Sequence, residues 1–278
     1  MNSDSPRTAI IAGQGALPGL LVAALEAAGQ PLVLAEMEAF PADLSGCTPV
    51  RFRVERLVPF FDHLASLGVT RVCFAGAVRR PRLEPELFDA RTATLVPRLL
   101  AALQSGDDGA LRLVITLFEE FGFEVVGADA LAPDLVPGPG LLAGKITEAD
   151  EKDAARAATI VAGLGALDLG QGAVVAQGLC LAVESLPGTD AMLEFVACHA
   201  ALLRPDPAGA RGLLYKAPKP GQDRRIDLPT LGPQTVRAAQ AAGLGGIVWA
   251  AGSVLLLDRE AMVREANALG LFLWSRQP

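Results

Sequence analysis

The stretch Thr8-Ala-Ile-Ile-Ala-Gly-Gln-Gly-Ala-Leu-Pro-Gly19 decides the fold of this chain. Thr8 to Ala12 is an apolar run of strand length, Gly13-Gln-Gly15 breaks it, and apolar residues resume from about Leu20 to Ala28, where Gly29 provides a helix stop. Strand, glycine turn and helix in immediate succession open a β-α-β unit, whose strands pair in parallel. Outward from there, Pro31–Ala35, Arg71–Ala75 and Phe123–Val126 read as further strands, and residues 55–67, 93–103 and 110–121 as helices.

Ala132-Pro-Asp-Leu-Val-Pro-Gly-Pro-Gly140 then packs three prolines and two glycines into nine residues, a composition that suits a semi-rigid connector. The expected organisation is a domain at 1–132, a linker at 133–140 and a second domain at 141–278. Past the linker, helices are expected at 148–163, 191–203, 233–242 and 259–269. Strands are expected at 173–176, 179–183, 212–215, 246–249 and 253–257, spaced closely enough for some antiparallel pairing. The fold class is α/β, with an N-terminal Rossmann-like, doubly wound domain and a mixed α/β C-terminal catalytic domain.

The chain has 278 residues, of which 51% are hydrophobic and 20% charged, enough for two sizeable cores. Its net charge of −7 argues against a nucleic-acid partner, so an anion would have to be recognised locally. No apolar run reaches the length of a membrane-spanning helix and the N-terminus lacks a signal-peptide pattern, so a cytoplasmic location is expected. Cys47, Cys73, Cys180 and Cys198 show no metal or disulfide spacing and read as small core residues; His63 and His199 read as structural.

Several segments carry candidate chemistry. Gly13, Gln14 and Gly15 form the kind of turn whose amides cradle a phosphate, although the spacing to Gly19 is GxGxxxG; Glu36 or Glu38 is placed to hold a ribose. Gly76-Ala-Val-Arg-Arg80 follows a strand, where Arg79 and Arg80 either meet a phosphate or form a solvated turn. Asp107 and Asp108 offer paired carboxylates, one of them a good cap for a helix starting at Ala110. Gly188-Thr-Asp190 is either a helix cap or a helix N-terminus facing phosphate, with Asp190 beside it for a divalent metal.

The run Lys216-Ala-Pro-Lys-Pro-Gly-Gln-Asp-Arg-Arg-Ile-Asp-Leu-Pro-Thr-Leu-Gly232 holds two of the four lysines in the chain. Pro218 and Pro220 exclude a helix there, and in a strand Asp223, Arg225 and Asp227 share one face. Two carboxylates among cations suit magnesium-assisted hydrolysis of a phosphoanhydride; a surface salt-bridge network is the equal alternative.

Taken together, IAGQGALP, GAVRRP, SGDDGALR, AVESLPGTDAM and KAPKPGQDRRIDLPTLG resemble, in this order and over essentially the whole length, the UDP-2,3-diacylglucosamine pyrophosphatases of lipid A biosynthesis that lack the metallophosphoesterase signature. The resemblance implies Mg2+-dependent cleavage of that substrate to UMP and 2,3-diacylglucosamine 1-phosphate (lipid X). It also implies a homodimer of two-domain chains holding the substrate between the domains, with transient contact at the inner membrane face. It carries the catalytic role to Asp223 and Asp227, metal binding to Asp190 and Asp223, and substrate contacts to Gly13, Gln14, Gly15, Gly76, Arg79, Arg80, Asp107, Asp108, Gly188, Thr189, Lys216, Lys219, Gln222 and Arg225. A nicotinamide-dependent oxidoreductase and a non-enzymatic nucleotide-sugar binder remain as alternatives.

Overall fold

The computed structural model describes residues 6–44, 46, 48–78, 81–104 and 107–277, with side chains described for all of these but 103, 104, 107, 108 and 200–203. The chain forms two compact units. One comprises Met1–Pro133 together with Asp223–Asp227; the other comprises Asp134–Gln222 and Leu228–Pro278. The expected linker opens with a 3-10 turn at Pro133–Leu135, and its last residue, Gly140, already belongs to a strand.

In the first unit, β1 (Arg7–Ala12), α1 (Leu17–Ala27), β2 (Leu32–Met37), β3 (Val50–Phe52), α2 (Leu57–Ser66) and β4 (Val69–Ala75) are followed by α3 (Ala90–Ala93), α4 (Val96–Gln104), α5 (Asp107–Glu120), β5 (Glu124–Val125) and α6 (Ala128–Leu131). The five strands pair in parallel in the order β3-β2-β1-β4-β5. That is the order of the first five strands of a dinucleotide-type doubly wound sheet, and it agrees with the Rossmann-like reading. β1 is buried along almost its whole length, as a central parallel strand must be. The core is aromatic: Phe52 stacks on Phe60 at 4.1 Å and Phe118 meets Phe61 edge-on at 4.7 Å. Each such ring contributes about 1.5–3 kcal/mol by burial.

The second unit contains β6 (Gly140–Ala143), α7 (Glu148–Ala166), β7 (Gly172–Ala176), β8 (Leu179–Val183), α8 (Gly188–Leu203), β9 (Leu213–Lys216), β10 (Thr230–Leu231), α9 (Pro233–Ala241), β11 (Gly246–Ala250), β12 (Leu255–Leu256), α10 (Arg259–Leu269) and β13 (Phe272–Arg276). Its main sheet runs β6-β13-β11-β9-β7-β8. The central strands β9, β11 and β13 are parallel, whereas β6, β7 and β8 pair antiparallel, so the sheet is mixed as expected. Thr147 starts α7 through a reciprocal capping box with Asp150, and Ala154, Ala157 and Val161 form its buried stripe. β10 and β12 form a separate parallel pair, so the strand expected at 253–257 shortens and leaves the main sheet.

The cysteines divide. Cys73 is buried as expected, with its thiol pushed up to about 12 by burial, but Cys180 and Cys198 are exposed, and Cys47 lies outside the described residues. No helix among the described residues is long and apolar enough to cross a membrane.

Candidate functional site

At the carboxyl end of the first sheet, the loops after β1 and β4 zip together. Gly13 N donates to Ala75 O at 2.7 Å, Gln14 N to Ala77 O at 2.9 Å, and Ala77 N back to Gln14 O at 2.9 Å. Two glycines make this approach possible. A Cβ on Gly13 would lie 2.5 Å from Ala77 O, and one on Gly76, whose φ is +89°, would lie 2.6 Å from Gln14 O. The expectation that the amides of Gly13 and Gln14 face an anion is therefore corrected, because both already have carbonyl partners. Gly15, with φ of +100° and open space around it, and the exposed Gln14 side chain remain available at the start of α1.

The ribose reading of Glu36 is also overturned. Its carboxylate is buried and accepts from Ala42 N at 2.9 Å and Arg51 Nε at 3.0 Å, while Glu38 pairs with Arg53. Arg79 and Arg80 lie outside the described residues. Asp107 and Asp108 fall in the first turn of α5, which begins three residues before the expected Ala110; their side chains lie outside the described residues.

Asp223–Asp227 joins the first unit as a turn, not as a strand. Ile226 N and Asp227 N both reach back to Asp223 O, at 3.3 and 3.4 Å. The shared strand face expected for Asp223, Arg225 and Asp227 is thus replaced by a tighter arrangement. Asp223 Oδ1 accepts from the Arg225 amide at 3.0 Å and from Arg225 Nε at 2.9 Å, and Oδ2 accepts from Nη2 at 2.7 Å. These hydrogen bonds hold the Asp223 carboxyl below its ordinary range and raise Arg225 in return.

The turn is seated by three contacts within the unit. Ile226 packs on the aromatic core, Arg225 Nη1 reaches Glu119 Oε1 at 2.6 Å, and Arg224 Nη2 reaches Asp129 Oδ2 at 3.5 Å. Gly127 eases its seating, since a Cβ there would stand 3.3 Å from the Arg224 carbonyl oxygen.

In the second unit, Lys216 ends β9 and is buried. Its Nζ lies 2.6 Å from Thr189 Oγ1, and that hydroxyl donates to Glu184 Oε1 at 3.0 Å. Neither Thr189 nor Asp190 caps α8. The helix starts at Gly188 with no side-chain cap, which places Thr189 inside the first turn and Asp190 exposed next to it. Lys219 Nζ pairs with Asp168 Oδ1 at 2.6 Å, and its amide donates to Gln222 Oε1 at 2.9 Å.

Glu184 and Asp168 were not among the expected site residues. The close pair Gly170 and Gly172 beside a strand was the available signal. Among the described residues no group of three or more His, Cys, Asp or Glu side chains is arranged to hold a metal ion. Asp223 belongs to the first unit and Asp190 to the second.

These features define a two-unit α/β protein. It carries charged side chains where the chain leaves the carboxyl ends of parallel strands, the region in which such sheets bind small ligands. Residues 7–135 match the LpxI N-terminal domain and residues 138–274 the LpxI C-terminal domain, and the chain belongs to the LpxI family. It is 41% identical over 272 residues to the UDP-2,3-diacylglucosamine pyrophosphatase LpxI of Caulobacter vibrioides, with 97% of each chain covered.

Proposed function

We propose that this chain hydrolyses the pyrophosphate of UDP-2,3-diacylglucosamine to UMP and 2,3-diacylglucosamine 1-phosphate in lipid A biosynthesis, in a reaction that depends on magnesium. The observation that carries the reading is the identity to the Caulobacter protein across 97% of both chains, since that protein's name states the substrate and the bond cleaved.

Hydrolysis of a phosphoanhydride needs an ionised carboxylate to orient water and cations to meet the charge gathering on phosphate. Asp223 takes the first role in this reading, kept ionised by Arg225, with Asp227 at the other end of the same turn as its support. Lys219 and Arg225 supply those cations, and Lys216 a further one that binds a phosphate oxygen of the substrate. Gln14, Gly15 and Gly76 in the first unit, and Gly188 and Gln222 in the second, complete the proposed substrate contacts.

The donor chemistry of Asp223 suits magnesium, which takes hard, ionised oxygens. Both of its oxygens accept from Arg225, so an ion there would share them with the guanidinium. When bound, magnesium would offset phosphate charge. The exposed side chains of Leu167, Leu169 and Leu186 in the second unit offer apolar surface to acyl chains, in keeping with a cytoplasmic protein that touches the inner membrane peripherally. A homodimer rests on the family resemblance alone.

The decisive experiment is incubation of the purified chain with UDP-2,3-diacylglucosamine, with magnesium and with EDTA, followed by chromatography for UMP. Release of UMP that stops with EDTA is expected. A folded sample that binds the substrate and yields no UMP would leave a non-enzymatic binder, and a melting temperature raised by reduced nicotinamide cofactor would favour an oxidoreductase.

A further inference from the structure

Glu184 sits in a notch opened by two glycines. A Cβ on Gly170 would lie 2.1 Å from the Glu184 carbonyl oxygen, and one on Gly172 would lie 2.6 Å from Glu184 Oε2. The Glu184 amide also donates to Gly172 O at 2.8 Å, fixing the residue against the start of β7. Oε1 takes the Thr189 hydroxyl proton, whereas Oε2 is buried and has no hydrogen-bond partner among the described residues. A buried carboxylate oxygen left without a donor is uncommon and calls for an explanation in function.

That oxygen leaves Oε1 as the one through which Glu184 acts, in an ordered chain of three groups. A hydroxyl has one proton to donate and lone pairs with which to accept. Thr189 gives its proton to Glu184 and receives Lys216 Nζ at 2.6 Å, which leaves the ammonium 3.8 Å from Oε1. In direct contact, carboxylate and ammonium would close into a short ion pair, and the lysine would be held by its own neighbour. With the hydroxyl between them, the buried positive charge is balanced and its position fixed without that closure.

We propose that Glu184 and Thr189 are positioning residues that hold Lys216, at the carboxyl end of β9, as the cation that meets a phosphate oxygen of the substrate. Thr189, expected to touch the substrate, acts instead through Lys216. The inference rests on the pyrophosphatase reading and adds to it two residues that govern substrate capture.

Steady-state kinetics of the full chain with UDP-2,3-diacylglucosamine test it. Thr189→Val removes the hydroxyl at nearly constant shape, and KM is expected to rise about tenfold with kcat changed less than about threefold. Thr189→Ser, which restores the hydroxyl, is expected to stay within about twofold of the parent on both constants, and Glu184→Gln to raise KM in the same direction. An unchanged KM in Thr189→Val, or Thr189→Ser as impaired as Thr189→Val, overturns the proposal. If Thr189→Val does not fold, Glu184→Gln decides, and an unchanged KM there overturns it. If the parent chain releases no UMP, the pyrophosphatase reading fails separately, and calorimetric binding of inorganic pyrophosphate takes over. About tenfold weaker binding by Thr189→Val then supports the positioning role; equal affinity, or none in either protein, overturns it.

Discussion

Arg225 grips Asp223 from two residues away, with its main-chain amide and its guanidinium both on the same carboxylate. The contact lies inside a turn that the first unit holds, so the acid and its partner move as one piece. Its main effect is to keep Asp223 ionised below the usual carboxylate range.

That effect has a direction in pH. If turnover needs the Asp223 carboxylate, activity falls as pH drops through its depressed folded-state pKa. Arg225→Ala removes the first cause of the depression, so the acid limb of kcat/KM is expected to move to higher pH. The stability that the pair contributes is present above the unfolded-state pKa and lost as pH falls through the folded one, so Arg225→Ala should also narrow the stability gap between neutral and acid solution. A pH–rate profile with an unmoved acid limb would remove Asp223 from the role.

Asp223→Ala is expected to lower kcat by roughly a hundredfold to ten-thousandfold, the usual contribution of a positioned acid or base, with substrate binding retained within about tenfold. Asp227→Ala should cost less. The reverse ranking, read from UMP release by the two variants side by side, would transfer the catalytic role to Asp227.

Gly13→Ala and Gly76→Ala each drive a methyl group into a carbonyl oxygen at about half an ångström inside the closest contact seen for real side chains. Each is expected to destabilise the protein by about 2 kcal/mol or more, with Gly76→Ala the worse because its φ of +89° adds backbone strain. Urea denaturation would check this. A midpoint unchanged in both variants would mean that the loops after β1 and β4 do not close as described.

Glu36→Ala should act on stability alone. The substitution leaves the Ala42 amide without its acceptor and frees Arg51, which is two-thirds exposed and can turn to water, so the loss is expected to be about 1–2 kcal/mol. Activity per folded molecule should stay within about twofold. A large fall in kcat with unchanged stability would restore the ribose-binding role.

The alternation of strands and helices was legible because it is written in local patterns: Gly13 and Gly29 bound α1, and Thr147 with Asp150 announces α7. The short strand β3 carries only three residues and gives no period to read. β13 was missed despite a usable signal, since Gly270 in the left-handed region ends α10 and Leu271-Phe-Leu-Trp follows directly. The candidate site divides along the same line. Lys216, Asp223 and Arg225 stand out by charge in an apolar chain. Glu184, Asp168 and Gly127 matter through partners remote in sequence, and no spacing rule joins Glu184 to Lys216. The glycines at 13 and 76 were visible, but their cause was not, because close backbone approach and ligand cradling demand the same residue.

The allegiance of Asp223–Asp227 bears on how this protein could be dissected. No single cut of the polypeptide yields either unit whole. A recombinant piece ending at Pro133 would lack Ile226 and leave part of its aromatic core wet, and the complementary piece would carry that isoleucine with nothing to cover it. Chimeras between relatives would keep their seams intact only if these five residues travelled with the amino-terminal half.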